Sequence, residues 1–93
     1  MTNWKTAKLK RLAQALLTID TEAEMLGFLR DIATLEELEA LSSRWEVVLQ
    51  LEDGKSYRDI AEKTGVSTTT ITRIAHWLNH GEGGYKAALE KLK

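Results

Sequence analysis

Short polar side chains crowd into one segment of this sequence: Ser67, Thr68, Thr69, Thr70 and Thr72, followed by Arg73 and His76. Threonine is a mediocre helix former, so gathering hydroxyls this densely costs local stability. Such a face is suited to reading base edges. Each hydroxyl can donate or accept, and each methyl can rest on a thymine methyl in a major groove. Arg73 and His76 extend the face by one and two turns. Lys55, Ser56 and Arg58 lie upstream and, with Ser67 at the head of the segment, suit phosphate contacts that set register. The plainer alternative is a solvated first turn with ordinary surface charge around it.

Other constellations carry less chemistry. His76 and His80 have the four-residue spacing of two metal ligands on one helix face, with Glu82 close behind. The glutamate of a zinc hydrolase motif is missing and His80 falls at a helix end, so no metal site is expected. Gly81-Glu82-Gly83-Gly84 lacks the preceding strand that a phosphate-binding loop needs. There is no Ser-His-Asp set and no carboxylate pair, so the sequence does not suggest an enzyme. Cysteine is absent, which rules out disulfides and thiolate metal sites.

A reading face must be held by a scaffold, and the residues around it have the spacing of a helix-turn-helix over 56–79. Ile60-Ala61, Gly65-Val66, Ile71 and Ile74 each have a part in it. Ala61 is small where the second helix crosses, and Gly65 tolerates the positive φ of a tight inter-helix turn. Ile60, Val66, Ile71 and Ile74 form the wedge that fixes the crossing. Ser56 and Ser67 stand where N-caps belong. The whole sequence of 93 residues favours helix: it has no proline and no sustained two-residue alternation. Expected helices run from about Trp4 to Leu17, from Thr21 to Ile32, from Leu35 to Glu52, from Tyr57 to Lys63, from Thr68 to Asn79 and from Tyr85 to Leu92. Thr21-Glu24 and Thr34-Glu37 have capping-box spacing, and Gly54 is a stop after the longest helix.

Net charge is −1, but it is unevenly spread. Residues 1–18 carry +4, residues 19–53 carry ten acids against two arginines, and residues 54–80 return to +2. The segment expected to face DNA is therefore mildly basic, enough to orient a duplex without large non-specific affinity. No apolar run approaches the ~20 residues of a membrane span, and residues 1–17 hold no signal-peptide core, so a cytoplasmic location is expected. A chain this short has a thin core, for which oligomerisation is one remedy. Trp4, Trp45 and Trp77 are assigned to a dimer core on the ground of their size.

Three stretches resemble the Trp-repressor family, and especially its Trp-repressor-related bacterial members of unassigned effector. They are Ala40-Leu41-Ser42-Ser43-Arg44, Gly54-Lys55-Ser56-Tyr57-Arg58 and, most specifically, Thr69-Thr70-Ile71-Thr72-Arg73. Gly84-Tyr85-Lys86-Ala87-Ala88-Leu89 is similar to the short last helix of the related group. The resemblance implies an all-α, six-helix fold, a single domain over 1–93 in which two chains interlock. Helices in 1–53 and 81–93 would build the shared dimer core, and 56–79 would bind double-stranded DNA. It also implies an effector pocket at Thr34, Arg44 and Arg73. Where the family has a glycine after the recognition-helix arginine this chain has Ile74, and Trp77 stands in place of a small polar residue. These bulky groups are expected to fill the space of an indole, which argues against tryptophan. The expected protein is a homodimeric transcriptional regulator of a near-palindromic operator, with no cofactor and with its small-molecule effector, if it has one, unassigned. A competing expectation, drawn from the acidic middle, is a protein-interaction adaptor that keeps the helix-turn-helix shape without reading DNA.

Overall fold

The computed structural model describes residues 3–93. It is all-α: α1 (Ala7–Leu17), α2 (Glu22–Ile32), α3 (Leu35–Glu52), α4 (Tyr57–Thr64), α5 (Thr68–His80) and α6 (Gly84–Lys91). The helices fall into two units, one ending at Leu38 and the other running from Glu39 to Lys93. Among the described residues no helix is long and apolar enough to cross a membrane.

The N-terminal unit is organised by caps. α1 starts at Ala7, three residues later than the sequence suggests, because Thr6 is extended and its Oγ1 accepts from the Leu9 amide at 3.1 Å. Thr21 does the same for α2, accepting from the Glu24 amide at 3.2 Å. At the head of α3 the box closes in both directions: Glu37 N–H donates to Thr34 Oγ1 at 3.1 Å, and Thr34 N–H donates to Glu37 Oε1 at 2.9 Å. The Thr34 amide, and after it the Thr34 hydroxyl, hold the Glu37 carboxyl below its ordinary pKa. Neither α1 nor α2 contains a buried residue. Leu17, Leu26, Ile32 and Leu35 all stay more than half exposed.

The C-terminal unit has a core of its own. Val47 and Val48 of α3, Ile60 of α4, Ile71 and Ile74 of α5 and Leu89 of α6 form one buried cluster. Trp45, Leu51, Ala61, Val66, Leu78 and Tyr85 pack around it, with the Trp45 and Tyr85 rings 6.2 Å apart. Each fully buried aliphatic side chain contributes about 1.5–3 kcal/mol, which is enough to fix how α4 and α5 cross. Of the three tryptophans only Trp45 joins this core; in the single chain Trp4 is 53% and Trp77 58% exposed.

Candidate nucleic-acid interface

The α4–turn–α5 unit is built from local chemistry outward. Ser56 Oγ accepts from the Asp59 amide at 3.1 Å and starts α4. Gly65 ends it with φ +75°, the left-handed conformation that a residue with a Cβ adopts at a cost. Its amide donates to Ala61 O at 2.9 Å. Thr64, which the sequence reading passed over, staples the turn from both sides. Its hydroxyl donates to Ile60 O at 2.7 Å and accepts from the Val66 amide at 3.1 Å. The signal was available, since a threonine directly before a turn glycine can bond back to the helix it ends.

Ser67 then caps α5, accepting from the Thr70 amide at 3.2 Å and donating to Thr70 Oγ1 at 3.1 Å. With both roles engaged, Ser67 serves the helix end before any phosphate. Ile71, Ile74 and Ala75 turn inward, which leaves Thr68, Thr69, Thr72, Arg73 and His76 exposed on one face. Thr72 Oγ1 donates to Thr68 O at 2.9 Å. Lys55 lies 3.7 Å from Asp53, and Arg58 lies 3.8 Å from Glu62, in exposed pairs. Such pairs are worth little and are readily exchanged for a phosphate. The His76 and His80 rings lie 5.2 Å apart, and no group of three or more His, Cys, Asp or Glu among the described residues could hold a metal ion.

Of the three residues assigned to an effector pocket, Arg44 and Arg73 come together. They line a cleft of about 330 Å³ with Thr70, Ile74, Trp77 and Tyr85. A second opening of about 450 Å³ is lined by Arg44, Trp77, Glu82, Gly84 and Tyr85. Neither guanidinium has a carboxylate partner among the described residues. Thr34 belongs to the N-terminal unit, where its amide and hydroxyl serve the cap of α3. Both side chains expected to fill an indole's space line the cleft shared by Arg44 and Arg73. Ile74 is turned into the core at 5% exposure, and Trp77 lines the cleft while staying largely exposed. A Cβ at Gly81 would run into the carbonyl oxygen of residue 77 and crowd the Trp77 ring.

A helix-turn-helix with a capped, outward-facing second helix is a widespread arrangement, and comparison with known proteins narrows it. The sequence profile of the Trp repressor protein matches residues 7–93. The chain belongs to the Trp repressor family. It is 35% identical over 86 residues to the protein YerC of Bacillus subtilis (strain 168), covering 92% of this chain and 83% of that one. It is 34% identical over 83 residues to a Trp operon repressor homolog of Chlamydia trachomatis serovar L2, covering 84% of this chain and 88% of the relative. The crystal structure of a TrpR-like protein from Eubacterium eligens superposes with a TM-score of 0.88 at 42% identity, over 95% of this chain and 91% of that one. The six-helix fold expected from the sequence is the fold of these Trp repressor relatives, and membership supports a role in transcription regulation rather than catalysis.

Proposed function

We propose that this chain is a sequence-specific DNA-binding regulator, repressor-like, that acts as a homodimer on a near-palindromic operator. The observation that carries it is the division of α5. One face is locked into the core by Ile71 and Ile74, and the other presents Thr68, Thr69, Thr72, Arg73 and His76 to solvent. That is how a recognition helix must be held if its N-terminal residues are to meet base edges while its partner helix stays rigid. Lys55, Ser56 and Arg58 set register on the backbone, with Ser67 at the head of α5. The homodimer is supported by the N-terminal unit, whose two helices leave Leu17 84%, Leu26 60% and Ile32 53% exposed. A second copy covering those faces gives one domain from two chains and sets two α5 helices about one DNA turn apart.

Electrophoretic mobility shift on random duplex pools tests this function. The wild type should enrich a two-fold-related site, and the Thr72→Ala/Arg73→Ala double variant should lose the enrichment. No enrichment by the wild type across salt concentrations would overturn it and leave the adaptor reading, which the acidic α3 favours. The Arg44–Arg73 cleft is the place for any small-molecule effector, and calorimetry with tryptophan, with and without operator, decides whether that amino acid is one.

A further inference from the structure

The exposed hydroxyls of α5 are not equivalent. Thr68 and Thr69 have no partner for their hydroxyls among the described residues, so each can rotate to donate or accept. The Thr72 hydroxyl is committed, its proton going to Thr68 O at 2.9 Å. That bond fixes the Thr72 side chain and sorts its remaining chemistry. While that bond holds, what it can offer a ligand is an oxygen that only accepts and a methyl group held in one place. In the major groove, adenine shows the N6 amino donor and its paired thymine shows the 5-methyl. Guanine shows only acceptors at N7 and O6, which call for a donor that Thr72 has already engaged at Thr68 O. Cytosine shows an amino donor but no methyl. Only an A·T pair offers both features that Thr72 complements.

We propose that Thr72 is a specificity-determining residue that selects an A·T pair in each half-site, accepting from adenine N6 and packing its methyl on the thymine methyl. This inference rests on the DNA-binding reading above and goes further by naming what one position recognises. The internal bond to Thr68 favours this selection, because Thr72 must give up that bond before its hydroxyl can donate to guanine. Thr68 and Thr69, with free hydroxyls, discriminate less at their own positions.

The test uses the full-length protein and the site that it enriches from a random duplex pool. Each thymine of that site is replaced in turn by deoxyuridine, which lacks the methyl, and each adenine by a purine lacking the 6-amino group. At one A·T pair per half-site, deoxyuridine should weaken wild-type binding about fourfold, the worth of one buried methyl. The Thr72→Ser variant keeps the hydroxyl and its bond to Thr68 and should bind thymine and deoxyuridine there equally. Thr72→Val keeps the methyl and should remain sensitive to deoxyuridine while becoming indifferent to loss of the 6-amino group. Equal sensitivity of wild type and Thr72→Ser to deoxyuridine at every position overturns the inference while leaving DNA binding intact. A preference for G·C at the position altered by Thr72→Ser does the same. Failure of the wild type to enrich any site overturns both.

Discussion

The helices on either side of Leu38 are held by different means. On the N-terminal side, α1 and α2 have good caps at Thr6 and Thr21 and no buried residue. On the C-terminal side, α4 and α5 are caps plus core, with Ile60 and Ile71 fully buried. Caps decide where a helix starts, but an isolated helix of 11 residues, the length of α1 and of α2, is marginal in water without a packed face. The contrast shows which part of the molecule has a buried core within one chain and which part leaves its apolar faces exposed.

The largest test of this contrast is a pair of truncations. Ile71→Ala empties a core position and should cost about 2–5 kcal/mol, measured by urea unfolding, at every protein concentration. Leu26→Ala, on a face 60% exposed in the single chain, should cost almost nothing in a dilute monomer. If a second copy covers α2, its cost appears only where the dimer is populated and grows with concentration. A Leu26→Ala effect that is nil at all concentrations would break the link between the bare N-terminal unit and dimerisation.

Two glycines sharpen the same contrast at smaller scale, with opposite signs. Gly65, at φ +75° in the helix-turn-helix, should resist alanine by about 1–2 kcal/mol, the cost of a left-handed residue with a Cβ. Gly27 lies inside α2 with nothing within 4 Å of where a Cβ would stand. Alanine there should stabilise the helix by about 0.5–1 kcal/mol. Thermal melts of both variants check the signs. A loss at Gly27 would mean that another chain approaches α2 closely.

Local chemistry was legible in the sequence and tertiary placement much less so. The caps at Thr21, Thr34, Ser56 and Ser67 follow from residue type and a three-residue spacing, and all four accept the expected amide. Gly65 and the inward set Ile60, Ile71 and Ile74 follow from period and turn chemistry. The start of α1 lies three residues later than expected because the cap that decides the matter, Thr6, went unread. Thr64 was missed because its work is done by a hydroxyl bonding backward and forward at once. Trp77 shows a limit of size as a guide: in the single chain it stays 58% exposed, and its position on α5 places it beside the cleft, which no linear pattern distinguishes from a place in a core. The exposed face of α5 was legible because an amphipathic helix of known phase exposes whatever is not in its apolar stripe.

A last test lies within the N-terminal unit, where Thr34 caps α3. Removing the hydroxyl with Thr34→Ala should cost about 1 kcal/mol. The pH dependence is more discriminating than the size of the loss. Glu37's carboxyl is held below its ordinary pKa when the cap is formed, so its contribution is fully present above the unfolded-state pKa and is lost as pH falls through the folded one. The Thr34 amide is the larger cause and survives the substitution; the hydroxyl is the smaller and does not. In Thr34→Ala the Glu37 midpoint, followed by NMR of its side-chain carboxyl, should therefore rise only part of the way back to the ordinary value. A complete return would mean that the amide bond depends on the hydroxyl and that the box forms as a unit. No change at all would mean that the hydroxyl contributes nothing to holding the charge.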